Sequence, residues 1–196
     1  MVIELKCEPH SLADANGGSV PVKATIIVAI LVIVLIIVYF VGIAPLMRLG
    51  AERSALHSTL SGKKDMAAIG DVKPARIGGF TLTSQTPAKI PISMPIDDTA
   101  GVYSGPAGTI SFYHAKTTEW GRQPVDHAGV MQSTSRALDD VASGPLMRLD
   151  VTGHPLVRAQ MTGGKWCYCW MNQDNIFCVV ADNKEAAAAF IAAYPY

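Results

Sequence analysis

Residues 165–181 read KWCYCWMNQDNIFCVVA. Two apolar runs, 165–171 and 176–181, flank the polar tetrapeptide Asn172, Gln173, Asp174 and Asn175, the pattern of a β-hairpin. With residues 172–175 as the turn, Cys169 opposes Cys178, Met171 opposes Ile176 and Cys167 opposes Val180 on one face. On the other face Trp170 opposes Phe177 and Tyr168 opposes Val179. Both faces are then apolar on both strands, the consistency that a correct register shows. A shift of one residue would set Tyr168 against Cys178 and leave no bond. The register therefore predicts a Cys169–Cys178 disulfide, which closes a short loop and contributes at most about 2 kcal/mol.

The surrounding sequence extends this hairpin into a sheet. LMRLDVT (146–152) and PLVRAQM (155–161) are separated by Gly153 and His154, and Gly163-Gly164 leads into the hairpin. Four strands in such quick succession predict an antiparallel meander. Further upstream, short strands are expected at 79–84, 101–104 and 108–114. A helix is expected around 125–142, with Val125, Val130, Met131, Leu138 and Val141 on its buried face and Gly144-Pro145 as its stop. Residues 184–194, KEAAAAFIAAY, read as a closing helix. Asp182 or Asn183 caps it, Glu185 suits its positive end and Pro195 terminates it. The order β-β-β-α-β-β-β-β-α predicts an α+β domain over 76–196 that folds alone. It is expected to be an antiparallel sheet with two helices packed on one face.

Positions 24–47 carry no charge, a run of 24 between Lys23 and Arg48. As a helix such a run rises about 36 Å, enough for a hydrocarbon core of about 30 Å. Lipid forces the helix despite the many β-branched residues, because backbone amides find partners only within the segment. Tyr39 and Phe40 lie toward its C-terminal end, and Pro45 marks a stop. Signal-peptide apolar regions run about 7–15 residues, and Pro45 interrupts the small-residue stretch that cleavage would need. Cys7 precedes the run, so it is not a lipoprotein cysteine. The expectation is a tail over 1–22, an uncleaved transmembrane helix over 23–47 and a juxtamembrane stalk over 48–75. In the stalk, Leu46, Leu49, Leu56 and Leu60 form a weakly amphipathic helix. Arg48, Arg53, Lys63 and Lys64 outnumber Lys6 and Lys23, which favours a cytoplasmic C-terminus by raw count. Lys23, however, abuts the apolar run, and long domains translocate despite flanking charge. The expected placement is a single-pass protein of the cell membrane with its tail inside and its C-terminal domain outside.

The chain has 196 residues, of which 16% are charged, against roughly 25% in ordinary soluble proteins. Sixteen basic and sixteen acidic residues cancel. A neutral chain lacks the basic face that displaces counterions from phosphate, so no nucleic-acid partner is expected. There is no G-x-S-x-G elbow. His114, His127 and His154, with Asp97, Asp98 and Asp126, have no defining spacing, and Gly163-Gly164-Lys165 lacks the rest of a phosphate loop. Asp97-Asp98 and Asp139-Asp140 lack the spacing of a calcium loop. No catalytic residue, cofactor or resident metal is expected, and the protein is read as a non-enzyme. Trp166, Tyr168 and Trp170 share one strand face, which offers either a stacking interaction surface or core beneath a helix. On the other face Cys167, Cys169 and Cys178 leave three alternatives. They form one disulfide with one free thiol, three buried thiols in a reducing compartment, or a thiolate site for Zn²⁺ or Cu(I) completed by a histidine.

The layout of tail, span, spacer and domain resembles that of a group of small actinobacterial proteins with one membrane span and an uncharacterised exported α+β domain. The last thirty residues carry the resemblance through Cys169, Trp170, Asp174, the triplet Cys178, Val179 and Val180, and the alanines from Ala186 to Ala189. In that group a cysteine and a tryptophan share a strand, followed by an acidic turn, a Gly/Val-rich strand and an Ala-rich helix. Here Cys169 and Trp170 are adjacent rather than separated by one residue, and Cys178 stands at a glycine position. The resemblance implies an exported domain without enzymatic role. The expected function is an accessory or interaction module of a membrane complex, with the lipid bilayer and a membrane protein as partners. The alternative is thiol or metal (Zn or Cu) handling by the cysteine hairpin.

Overall fold

The computed structural model describes residues 22–64, 71–87, 99–117 and 126–196. Cys7, Asp97, Asp98 and Val125 lie outside the described residues, as does the expected tail up to residue 21. Packing divides the chain into two units, Met1–Leu49 and Gly50–Tyr196.

In the first unit, α1 (Val22–Ile37) runs into a π-helical segment (Val38–Ile43) and then into α2 (Ala44–Ser61), which continues into the second unit. The large apolar side chains described between Ile26 and Leu49 are exposed. This helix is long and apolar enough to cross a membrane, a property that anchors and signal sequences share. Pro45 does not stop the helix as expected. It sits one residue inside α2, just after the π turn, where the Ala44 N–H donates to the Tyr39 carbonyl five residues back. A proline removes one N–H and crowds the carbonyl of the preceding turn, and a widened turn relieves both.

The second unit is built on one eight-stranded antiparallel sheet. Its strands are β1 (Arg76–Ile77), β2 (Phe80–Pro87), β3 (Thr99–Gly105), β4 (Gly108–Lys116), β5 (Met147–Leu149), β6 (Leu156–Gln160), β7 (Trp166–Asn172) and β8 (Asn175–Ala181). Their spatial order is β1-β2-β3-β4-β8-β7-β6-β5, so two meanders meet where β4 pairs with β8. The seven expected strands are present, and the two-residue β1 adds an eighth that is too short to leave a periodic signal. β5 stops at Leu149, short of the expected residue 152. Beyond it the chain turns toward β6, and the Val151 carbonyl accepts from the His154 N–H at 2.8 Å.

Helix α3 (His127–Asp139) is capped by the Asp126 carboxylate, which accepts from the Gly129 N–H at 3.0 Å. It ends three residues before the expected 142. Helix α4 (Lys184–Ala193) is capped by Asn183, which accepts from the Ala186 N–H at 2.8 Å. The two helices lie on opposite faces of the sheet, which corrects the expectation of one covered face. Val130, Ala137 and Leu138 of α3 pack with Val157, Cys167, Cys169 and Cys178. Phe190 and Ile191 of α4 pack with Phe112, Tyr168, Trp170 and Phe177. The reason lies in β7 and β8, which are apolar on both faces, so one helical layer would leave half of that surface in water.

The stretch read as a stalk also differs. Leu56 and Leu60 are buried in the same core as α4, whereas Leu46 and Leu49 are exposed. The second half of α2 thus covers the aromatic face of the sheet instead of forming a separate spacer.

Candidate functional site

The hairpin register matches the sequence reading residue for residue. Cys169 pairs with Cys178, Met171 with Ile176, Cys167 with Val180, Trp170 with Phe177 and Tyr168 with Val179. Cys169 and Cys178 lie at disulfide distance, with Cα atoms 4.2 Å apart. Cys167 is a free thiol whose Sγ lies 3.9 Å from that of Cys169. Beneath α3, all three cysteines have no exposed surface. Burial pushes the Cys167 thiol up to about 12, so it stays protonated at neutral pH and is a poor nucleophile or metal ligand. Among the described residues, no group of three or more His, Cys, Asp or Glu is placed to hold a metal ion. His114 on β4 is hydrogen-bonded to Asn175 at 2.9 Å, His127 opens α3, and His154 is buried in the β5–β6 turn.

Of the two alternatives for Trp166, Tyr168 and Trp170, the structure has core beneath a helix, and the stacking interaction surface is not formed by Tyr168 and Trp170. Tyr168 and Trp170 are fully buried and only Trp166 is half-buried, because α4 and the end of α2 cover this face. Trp170 stacks on Phe177 at 5.2 Å and lies edge-on to Tyr194 at 6.0 Å. Its Nε1–H donates to the Tyr196 carbonyl at 3.2 Å. Lys63 Nζ lies over the Trp170 and Tyr194 rings and donates to the Ile191 and Tyr194 carbonyls at the end of α4. The carbonyls and ring faces favour the ammonium, but burial outweighs them and lowers the amine to about 8.

The sequence reading missed a charged cluster on this face. Arg158 on β6 is 5% exposed and forms a two-pronged ion pair with Glu52 of α2, at 3.0 and 3.1 Å. Its guanidinium lies over Trp166 at 5.0 Å, and Lys184 approaches Glu52 at 3.9 Å. A lone arginine inside the apolar PLVRAQM was the available signal, since its partner lies 106 residues away. The pair ties α2 to β6.

One open groove of about 730 Å³ lies between α3 and the β5 edge, within the usual size range of ligand sites. His127, Met131 and Gln132 form one wall, and Arg148, Asp150 and Leu156 lie across from them. Asp126, His127, Arg148 and Asp150 supply its charged and titratable groups.

No protein-family model matches the sequence, and no curated protein matches it. Among solved structures, the chain has a likeness to a GTP binding regulator from Thermotoga maritima. The identity is 13% and the TM-score 0.42, with 62% of this chain and 81% of that chain covered.

Proposed function

We propose that this protein is a non-enzymatic, single-pass membrane protein whose C-terminal domain is exported and serves as an interaction module. The observation that carries the reading is the cysteine pair at disulfide distance in a domain that follows an exposed apolar helix. Disulfides persist on the oxidising side of a membrane, and a helix with bare apolar surface is stable in lipid. The α3–β5 groove is the recessed surface on which this domain would take a partner. Localisation to the cell membrane, with the bilayer and a membrane protein as partners, follows from the same reading and from the resemblance to exported single-span proteins.

The reading is tested by extracting membranes with alkaline carbonate and treating intact cells stripped of their outer wall with protease. The expected result is full-length protein in the washed pellet and loss of the C-terminal domain to external protease. A protein released by carbonate, or a domain protected until the cells are lysed, contradicts it.

A further inference from the structure

We propose that β5 pairs with β5 of a second copy of this chain, antiparallel and centred on Leu149, so that two eight-stranded sheets join across a two-fold axis. β5 ends the sheet order and is paired on one side, to β6. An edge strand presents a row of N–H and C=O groups that another strand can take up. At the other edge the two-residue β1 pairs only with the start of β2, and the rest of β2 carries no charged residue that could set a register and ends in Pro87.

The sequence of this edge selects the occupant. Residues 147–151 read MRLDV. Centred on Leu149, an antiparallel pairing sets Arg148 against Asp150 of the second copy and Asp150 against its Arg148. On the opposite face Leu149 lies across from its counterpart and the partly buried Met147 lies across from Val151 of the second copy; Leu149 and Val151 are already buried in their own core, so Met147 brings the apolar surface that is free to be covered. Opposite charges thus meet on one face and apolar side chains on the other, which is the self-complementarity a two-fold contact needs. Centring on Arg148 or Asp150 would oppose like charges instead, so the register is specified. Arg148 and Asp150 are exposed, and neither takes part in an ion pair within its own chain among the described residues. The strand pattern of the sequence runs to residue 152, and the ladder to β6 stops at Leu149, which pairs with Leu156. The inference does not depend on the membrane reading.

The test uses the full chain in detergent, followed by light scattering across a concentration series. The expected result is a monomer–dimer equilibrium in which Arg148→Asp and Asp150→Arg each raise the dissociation constant about tenfold or more. The double variant, with both charges exchanged, returns it close to the starting value. The apolar helix can itself associate in detergent, and a dimer formed that way ignores all three variants. In a Cys7→Ser background, an equal mixture of Arg148→Cys and Asp150→Cys chains should form a disulfide-linked dimer on oxidation, while neither variant does so alone. A strictly monomeric chain overturns the proposal, as does a dimer indifferent to the charge exchanges or a chain whose β5 edge is taken by a segment of another protein.

Discussion

Single residues in the hairpin carry sharp consequences. Cys169 and Cys178 are expected in one linked peptide when the unreduced protein is mapped by mass spectrometry, and Cys167 is expected to resist alkylation until the chain is unfolded. Alkylation of all three in the native protein would contradict the pairing. Gln173 holds φ at 54° in the turn, a left-handed conformation that costs a residue with a Cβ about 1 kcal/mol. Gln173→Gly should therefore stabilise the domain by about 0.5–1 kcal/mol, read from denaturant midpoints. Lys63 gives a pH signature. Its folded value of about 8 lies below the ordinary 10.5, so the unfolded chain binds more protons between these limits. Stability should rise through that window as pH increases, and Lys63→Met should flatten the rise when the two proteins are titrated in parallel. The hairpin was legible because its register places apolar residues on both faces of both strands. Lys63 was not, because its partners are the carbonyls of Ile191 and Tyr194, which leave no trace in side-chain pattern.

At the level of elements, the strands and both helices of 126–196 followed from alternation, capping residues and glycine turns, all local signals. What covers each face did not. Whether α3 and α4 share a face depends on the β4–β8 junction, a non-local pairing between strands whose residues give equally good patterns either way. Leu56 and Leu60 read as a stalk stripe from spacing alone, and the aromatic face that they cover, far away in sequence, makes them core. Two outcomes follow. A chain beginning at residue 50 should unfold cooperatively, whereas one beginning at residue 76 lacks Glu52, Leu56 and Leu60 and should melt at lower temperature or without cooperativity. Equal melting of the two would show that α2 adds nothing to the core. Within α2, Glu52→Ala strands the buried Arg158 and should cost about 3 kcal/mol. Arg158→Met should cost less, because Glu52, with a side chain 22% exposed, keeps water and Lys184 as partners. The reverse order in urea titrations would contradict the assignment of Arg158 as the more buried partner.

For the whole molecule, composition and one apolar run decide more than any motif. The 24 consecutive uncharged positions account for part of the low charged fraction, and residues 50–196 form a sheet domain with a helix on each face. The α3–β5 groove was not legible, since Met131, Arg148 and Leu156 come together through the packing of α3 across β6 and the early end of β5. The central claim joins the two units: a helix that rests in lipid and a domain that lies on the oxidising side. Blocking free thiols in intact cells before lysis, then mapping the unreduced protein from carbonate-washed membranes, tests both at once. The account predicts a linked peptide containing Cys169 and Cys178 from protein retained in the membrane. Recovery of both cysteines as alkylated thiols, or of the protein in the soluble fraction, would contradict it.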